Sequence, residues 1–322
     1  MTETLVTEFI VPAELGEQRL DRVLTELLEG YSRSQIQSWI RAGDITLNGR
    51  VPRPRDKVVE GDRLKLDVTL PEQGDWAPEP MALEVLHEDE HILVINKPAG
   101  LVVHPAPGHM RGTLVNAVLA HHPGASRLPR AGIVHRLDKD TSGVMVVAKS
   151  LIAHASLVAQ LQDRTMGREY VAVVHGEMTG GGQVDAPIGR HPQQRTRMAV
   201  VPDGKPAVTH YRIAERYAGF TRVDCQLESG RTHQIRVHLS HIGYPLVGDS
   251  LYAGRPRLPK GATPELLDML GQFRRQALHA HWLHLDHPET GEPLEFQAPV
   301  PEDLEQLCEA LRTWTAAQHA DH

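Results

Sequence analysis

An aspartate in the middle of the chain lies in a short polar stretch between two apolar ones. Asp138 follows Arg136 and precedes Lys139 in the segment HRLDKDTSG, with Gly132-Ile133-Val134 before it and a strand-like run after it. Loops that flank strands often display catalytic groups, and the adjacent cations would stabilise an ionised carboxylate. Taken alone, these residue types fit a turn-capping aspartate better. The rest of the chain has to decide between the two interpretations.

The composition is that of an ordinary globular protein. With 322 residues, 40% hydrophobic and 23% charged, the chain should bury normal cores and form about two domains. Its acidic amino terminus lacks the features of a signal peptide, and no stretch approaches the roughly 18 apolar residues of a membrane span. We therefore expect a cytoplasmic location and no membrane partner. Cys225 and Cys308 have no CxxC neighbour, which predicts two buried, reduced thiols.

The charge is unevenly distributed along the chain. The net charge is −7, yet residues 19–70 carry ten Lys/Arg against eight Asp/Glu, and residues 130–240 carry fifteen against ten. Acidic residues are concentrated at 71–90 and 257–322. Phosphate contacts need lysine and arginine, and a basic face can coexist with an acidic back. The distribution therefore permits a nucleic-acid partner.

The first part of the chain has the pattern of a small ααβ module. Residues 19–40 contain two short runs with helical spacing, ITLNGR turns at Asn48-Gly49 after a short strand, and VVEGDRLKLDV indicates a turn and a second strand. Residues 71–82 are rich in proline and acid and predict a linker. We place the module at 19–70, with 1–18 as an amino-terminal extension.

Residues 83–322 predict one α+β domain with a mixed, largely antiparallel sheet and flanking helices. Short apolar strands are separated by Gly/Pro turns, and helical runs occur near 111–122, 150–164, 232–242 and 301–317. Residues 255–276 are expected to form a loop.

The first module resembles the S4 (alpha-L type) RNA-binding domain. The resemblance rests on RLDRVL at 19–24, SRSQIQSWIRAGDITLNGR at 32–50 and EGDRLKL at 60–66. Several arginines should lie at helix ends and in the adjoining loop, where guanidinium groups pair with RNA phosphates: Arg33, Arg41, Arg50, Arg53 and Arg55. Solvated surface arginines are the alternative for each of them.

The second domain resembles the RluA-type pseudouridine synthases. HRLDKDTSG is the characteristic segment of that family, and three more segments match in the same order: INKPAGLVVHP at 95–105, REYVAVVHGEM at 168–178 and LESGRTHQIRVHLSHIGYPLVGD at 227–249. The resemblance covers the chain from 19 to about 300. It is greatest to members that act on large-subunit ribosomal RNA, which implies a structured rRNA stem-loop as partner, including one within the assembling large subunit.

The resemblance implies three catalytic residues. Asp138 would be the essential carboxylate, acting at the sugar or the base while the N1–C1′ bond of a uridine breaks and a C5–C1′ bond forms. Attack at C1′, attack at C6 and a glycal route remain open. Tyr170 would stack on the uracil and help to remove the C5 proton, and Arg236 would hold Asp138 in a bidentate pair. No cofactor is expected.

Three further residues are assigned to RNA contact. A stacked uridine is inaccessible, so the enzyme should extrude it, and Arg136 is the candidate to stabilise the gap. Lys97 and His104 should line the approach to the pocket, with a structural role as the alternative for each. Target choice would depend on the S4 module and on the insert GRHPQQRTRM at 189–198.

Three alternatives remain beside this interpretation. The enzyme could act on transfer RNA, or the chain could be a non-catalytic RNA-binding ribosome assembly factor, which would have no reason to keep Asp138, Tyr170 and Arg236 together. A metal site is disfavoured because neither HExxH nor a Cys/His pair at ligand spacing occurs. The histidines at 279 and 281 alternate as in a strand. Nothing indicates an oligomer, so we expect a monomer.

Overall fold

Two units of the chain are apparent in the computed structural model, Met1–Ala77 and Pro78–His322. The structure describes residues 4–28, 33–69, 76–106, 110–194, 196–254, 258–259 and 261–320. The predicted linker at 71–82 and the insert at 189–198 lie partly outside these ranges. Each unit is described by itself below.

The first unit packs two helices against a three-stranded sheet. Helices α1 (Leu20–Leu27) and α2 (Arg33–Ala42) bury the apolar positions of their repeats, among them Leu24 and Ile36, which are 0% exposed. The strands are β1 (Thr4–Ile10), β2 (Ile45–Leu47) and β3 (Arg63–Thr69), in the order β1-β3-β2 with antiparallel pairing. Residues 4–10 therefore form an edge strand, which the expected amino-terminal extension did not include.

A buried carboxylate joins the two helices of this unit. Asp21 accepts hydrogen bonds from Arg19, Arg33 and Gln37, the last at 2.6 Å from Gln37 Nε2 to Oδ2. Burial alone would raise the pKa of Asp21, but these three donors lower it overall. Arg33, half-exposed, is thus tied to α1 as well as available at the surface.

The second unit is built on a nine-stranded sheet. Its strands pair in the order β4-β5-β6-β13-β7-β12-β11-β8, with β14 also paired to β13. Only the β6–β13 pair among the described strands is parallel. The expected α+β class with a largely antiparallel sheet is confirmed. The strands are β4 (Glu84–Glu88), β5 (Ile92–Lys97), β6 (Ser142–Ala148), β7 (Gly167–His175), β8 (Gly182–Asp185), β11 (Val208–Tyr217), β12 (Phe220–Leu227), β13 (Leu278–Asp286) and β14 (Pro293–Gln297).

The described part of the second unit also contains a separate hairpin and five α-helices. The hairpin pairs β9 (Ile188–Arg190) with β10 (Met198–Val200). The helices are α3 (Leu114–His121), α4 (Leu151–Gln162), α5 (Gln234–His241), α6 (Pro264–Gln272) and α7 (Glu302–Ala320). Helix α6 lies where a loop was expected, and that expectation was wrong. Thr263 caps its first turn and Pro264 occupies the first helical position, which together are a helix start signal.

The central strand β13 sits between β6 and β7. At its parallel contact with β6, a Cβ on Gly143 would lie 2.1 Å from the carbonyl oxygen of Ala280. Gly143 also has φ of 121°, so only glycine fits this close approach.

The expected buried thiols, Cys225 and Cys308, are buried and free. No helix in the described ranges is long and apolar enough to span a membrane.

Candidate active site

The loop that carries Asp138 precedes β6 and is fixed by backbone contacts. The carbonyl oxygen of Asp138 accepts from the Thr141 amide at 3.1 Å, closing a turn. The carbonyl oxygen of Lys139 accepts from the Gly100 amide at 2.9 Å and from Lys97 Nζ at 3.0 Å. The loop is therefore anchored on the KPAG segment that follows β5.

The buried side chain of Lys97 links the Asp138 loop to the end of β5. Its side chain is 0% exposed, and Nζ donates to the carbonyl oxygens of Pro98, Leu101 and Lys139 at 2.7, 2.9 and 3.0 Å. An ammonium group has three donors, so none is left for a phosphate. Burial lowers the pKa of Lys97 to about 8, which still leaves it mainly protonated at neutral pH. The expected RNA contact of Lys97 is corrected to a structural role.

Replacement of Lys97 by methionine should destabilise the protein. Methionine fills a similar volume but has no ammonium group. Three buried carbonyl groups would lose their shared donor, and the free energy of unfolding should fall by about 2–4 kcal/mol. Denaturant unfolding of Lys97→Met against wild type measures this, with the exposed Lys205→Met as control. Equal stability of the two variants would show that water replaces the ammonium without cost.

A chain of charges runs from Asp138 into the core. Arg236, on α5, donates from Nη1 to Asp138 Oδ2 at 2.8 Å. Its Nε and Nη2 donate to Asp249 at 2.7 and 3.0 Å, so the bidentate pair is with Asp249. The expected contact between Arg236 and Asp138 is present, but its bidentate form was wrong. A fully used guanidinium fork fixes the orientation of both carboxylates.

Asp249 is the buried end of this chain. Its Oδ1 also accepts from the amides of Leu251 and Tyr252, and its side chain is 0% exposed. Burial disfavours the Arg236 charge, but hydrogen bonding and attraction from Asp249 and Asp138 raise its pKa overall. Asp138 itself is 16% exposed, so the outer end of the chain reaches the solvent-accessible surface.

A second contact approaches the other carboxylate oxygen of Asp138. Tyr252 Oη accepts from the Met198 amide at 2.9 Å and lies 2.8 Å from His233 Nδ1. Burial raises the pKa of Tyr252 and lowers that of His233, so both groups are neutral. Because Tyr252 Oη already accepts from the Met198 amide, we assign its hydrogen to the bond with His233 Nδ1. This places the ring proton of His233 on Nε2, which faces Asp138 Oδ1 at 3.8 Å. The carboxylate thus has a donor facing each oxygen.

Replacement of Tyr252 by phenylalanine should loosen this arrangement. The ring that lies against Arg236, 5.0 Å from centroid to Cζ, is retained, but the Met198 amide and His233 lose their partner. We expect the rate constant for the chemical step to fall about tenfold, because small misplacements of reacting groups are costly. Tyr244→Phe is the control, since its hydroxyl has no hydrogen bond among the described residues. An unchanged rate in Tyr252→Phe would show that His233 is held by packing alone.

Tyr170 lies on β7, in the strand next to β13. It is 7% exposed and pairs with Cys225 on β12 and Ala280 on β13. Burial raises its pKa, and the Asp138 charge adds to this effect, while Arg168 opposes it. The phenol is therefore protonated at neutral pH and is a weak base, which favours stacking over proton removal among its expected roles.

The residues expected to contact RNA are differently placed. Arg136 is exposed in the loop that carries Asp138, and Arg41, Arg50, Arg53 and Arg55 are exposed in the first unit. His104 is partly buried, and burial together with Arg130 and Arg136 lowers its pKa to about 4, so it is neutral at neutral pH. It can donate a neutral hydrogen bond to RNA but cannot pair with a phosphate as a cation.

The sequence interpretation missed three residues of the site, His233, Asp249 and Tyr252. All three lie in or just after the segment 227–249, so their position along the chain was known but their partners were not. No group of three or more His, Cys, Asp or Glu residues in the described ranges is placed to hold a metal ion. The histidines near residue 280 lie on β13, as the alternation predicted.

Family models match both parts of the chain. Residues 18–64 match the S4 domain, and residues 91–241 match the RNA pseudouridylate synthase family, a range that includes Asp138, Tyr170 and Arg236. The curated protein "Ribosomal large subunit pseudouridine synthase D" of Pseudomonas aeruginosa is 56% identical over 94% of this chain and 94% of its own length. The chain belongs to the RNA pseudouridylate synthase family. It is a pseudouridine synthase with an S4 domain.

Other relatives of the synthase agree with this assignment. Proteins with the same name from Xanthomonas campestris and Vibrio parahaemolyticus are 52% and 51% identical, each over 96% of the chain and 94% and 95% of their own lengths. Among solved structures, Human RNA Pseudouridylate Synthase Domain Containing 4 aligns with a TM-score of 0.56 at 28% identity, covering 71% of the synthase and 93% of that chain. The resemblance to the RluA-type family is confirmed.

Proposed function

We propose that this synthase converts specific uridines of large-subunit ribosomal RNA to pseudouridine, with Asp138 as the essential carboxylate. The observation that carries the assignment of Asp138 is its placement at the outer end of the Asp249–Arg236–Asp138 chain, partly exposed and faced by a donor at each oxygen. Such a carboxylate is oriented before substrate arrives, as nucleophilic or basic catalysis at a sugar requires.

The ribosomal target is supported by the relatives. Those described above are named as large-subunit enzymes and match nearly the whole chain, including the S4 unit. Exposed arginines of that unit, Arg41, Arg50 and Arg53, are available for phosphate contact. We propose a structured stem-loop, within the assembling subunit, as the ligand of a monomeric, cytoplasmic enzyme.

The roles that we propose for Arg136 and Tyr170 are based on their positions in the structure. Arg136 would stabilise the gap left by the extruded uridine, since it is exposed two residues from Asp138. Tyr170 would stack on the uracil. The reaction transfers no electrons or phosphoryl group and needs no hydrolysis, so the proposal includes no cofactor.

Pseudouridine mapping tests the proposal. Large-subunit rRNA from cells that lack the synthase should lose specific pseudouridines, and wild type should restore them. Persistence of every site would refute the rRNA target, and loss of transfer RNA sites instead would identify transfer RNA as the substrate. A transcript modified in vitro by the purified synthase alone would refute a purely non-catalytic assembly role.

A further inference from the structure

A buried arginine outside the charge chain lacks a counter-ion. Arg168 is only 6% exposed, and Nε of its guanidinium has no hydrogen-bond partner. Within the described part of the chain, no Asp or Glu lies within ion-pair distance of its guanidinium. A buried cation without a partner costs free energy, whereas the buried Arg236 has two carboxylates. Such a group gains free energy when it meets an anion that the free protein lacks.

Arg168 lies on the same face of β7 as Tyr170. It precedes Tyr170 by two residues, and residues two apart in a strand lie on the same face of the sheet. Its Nη1 lies against Gly230, where a Cβ would be 2.7 Å away. Gly230 belongs to the loop that leads into α5, which carries Arg236. The guanidinium is therefore enclosed between the strand of Tyr170 and the loop before α5.

The titratable neighbours of Arg168 do not neutralise it. Burial lowers the pKa of His135 to about 3, and its Nε2 accepts from the Val146 amide, so the imidazole is neutral and its remaining nitrogen is a donor. Tyr170 is a neutral phenol. Glu228, in the nearby loop, is already paired with Arg164 and His210.

We propose that Arg168 stabilises the negative charge that develops on the uracil ring during the isomerisation. The inference rests on the proposed function. In the free enzyme the guanidinium is uncompensated, and it gains a partner only when the uracil becomes anionic. Interactions that are stronger in the transition state than in the ground state are those that raise the rate.

Negative charge on the uracil arises in each of the three possible routes: attack at C1′, attack at C6 and the glycal route. When the N1–C1′ bond breaks, its electron pair remains on the uracil and is shared by N1 and the two carbonyl oxygens. Attack of the carboxylate at C6 instead places the electron pair on the C5–C4–O4 system. The pair later forms the C5–C1′ bond, and the C5 proton is released. No oxidant, reductant or co-reactant enters.

The burial of Arg168 favours the base over a phosphate as its ligand. A backbone phosphate stays hydrated and follows the protein surface, where the exposed Arg136 lies. A guanidinium of a residue that is 6% exposed, on the face of β7 that carries Tyr170, is better placed for a base inserted at that face. The two ligands differ in their effect on measurable constants, because a phosphate contact forms on binding and the uracil charge forms only during the reaction.

The test separates chemistry, binding and stability in Arg168→Met. The probe is a large-subunit rRNA transcript with tritium at C5 of uridine, which isomerisation releases to water. The single-turnover rate should fall by about 10²–10³-fold while the dissociation constant of the RNA stays unchanged. The melting temperature should stay equal or rise, because an unpaired buried charge is removed. A structural arginine would lower it.

A second variant moves the group without removing it. Gly230→Ala would displace the flexible end of Arg168 while keeping its charge, and the rate should fall about tenfold at unchanged RNA affinity. Arg164→Met, an exposed pair partner of Glu228, is the control and should match wild type. The inference is overturned if Arg168→Met retains the wild-type rate, if RNA affinity falls in parallel with the rate, or if the melting temperature falls. A wild type that releases no tritium refutes the proposed function itself.

Discussion

Asp138→Asn should abolish isomerisation while leaving a folded, RNA-binding protein. The amide still accepts from Arg236 Nη1, and Arg236 keeps its two bonds to Asp249, so the free energy of unfolding should change by less than about 2 kcal/mol. Asparagine is neither a nucleophile nor a base, and the rate should fall on the order of 10⁴-fold or more. Tritium release under single-turnover conditions measures the loss, and filter binding measures the RNA affinity.

The neighbouring carboxylate supplies the matched control. Asp140 lies two residues along the same loop, and within the described ranges Arg236 pairs with Asp138 and Asp249 and not with Asp140, so Asp140→Asn should retain activity within a few fold. Asp138→Asn that restored rRNA modification in cells would exclude Asp138 as the essential carboxylate. Loss of activity in both variants to the same extent would indicate that the loop, and not one side chain, is required.

Arg236→Met should be the most destabilising single change in the site. It leaves Asp249, 0% exposed, and Asp138, 16% exposed, without their shared cation. Breaking a buried pair in this way costs about 3–5 kcal/mol. Arg236→Lys keeps the charge but not the planar fork, and its stability should lie between those of Arg236→Met and wild type. Denaturant unfolding gives all three values.

An exposed pair in the same unit provides the comparison. Arg212 and Asp224 are 3.1 Å apart, with the arginine side chain 81% exposed, and Arg212→Met should cost less than about 1 kcal/mol. Activity should also decline more in Arg236→Met than in Arg236→Lys, since only lysine can still attract Asp138. Equal stability of Arg236→Met and wild type would mean that the chain of charges contributes nothing to the fold.

Local patterns predicted most elements of the fold. The apolar runs around β5, β6, β7 and β12 and the periodic segments of α3, α4, α5 and α7 were placed correctly because each has its own sequence signal. Strand β1 was missed because its partner, β3, lies about sixty residues away and no local turn joins them. Helix α6 was missed although Thr263 and Pro264 were visible, because its surroundings are rich in proline and glycine.

The contact between Asp138 and Arg236 was predictable from the sequence, but the other pairings around it were not. Motif positions identified Asp138 and Arg236, and the structure joins them at 2.8 Å. The partners Asp249 and Tyr252 could not be assigned, since only the fold shows which donor faces which acceptor. Lys97 was misassigned for the same reason: a lysine in a loop of a nucleic-acid enzyme predicts a surface charge, whereas this one is enclosed by three carbonyl groups.

The position of β13 has a consequence for synthesis on the ribosome. Asp138 precedes β6 and Tyr170 lies on β7, and the strand between these two is made of residues 278–286, more than a hundred positions later. A nascent chain that already contains both residues still lacks the strand that sets them side by side. If Asp138 and Tyr170 act together as proposed, residues 278–286 must leave the exit tunnel before the site can form, and a nascent chain without them should be inactive on RNA.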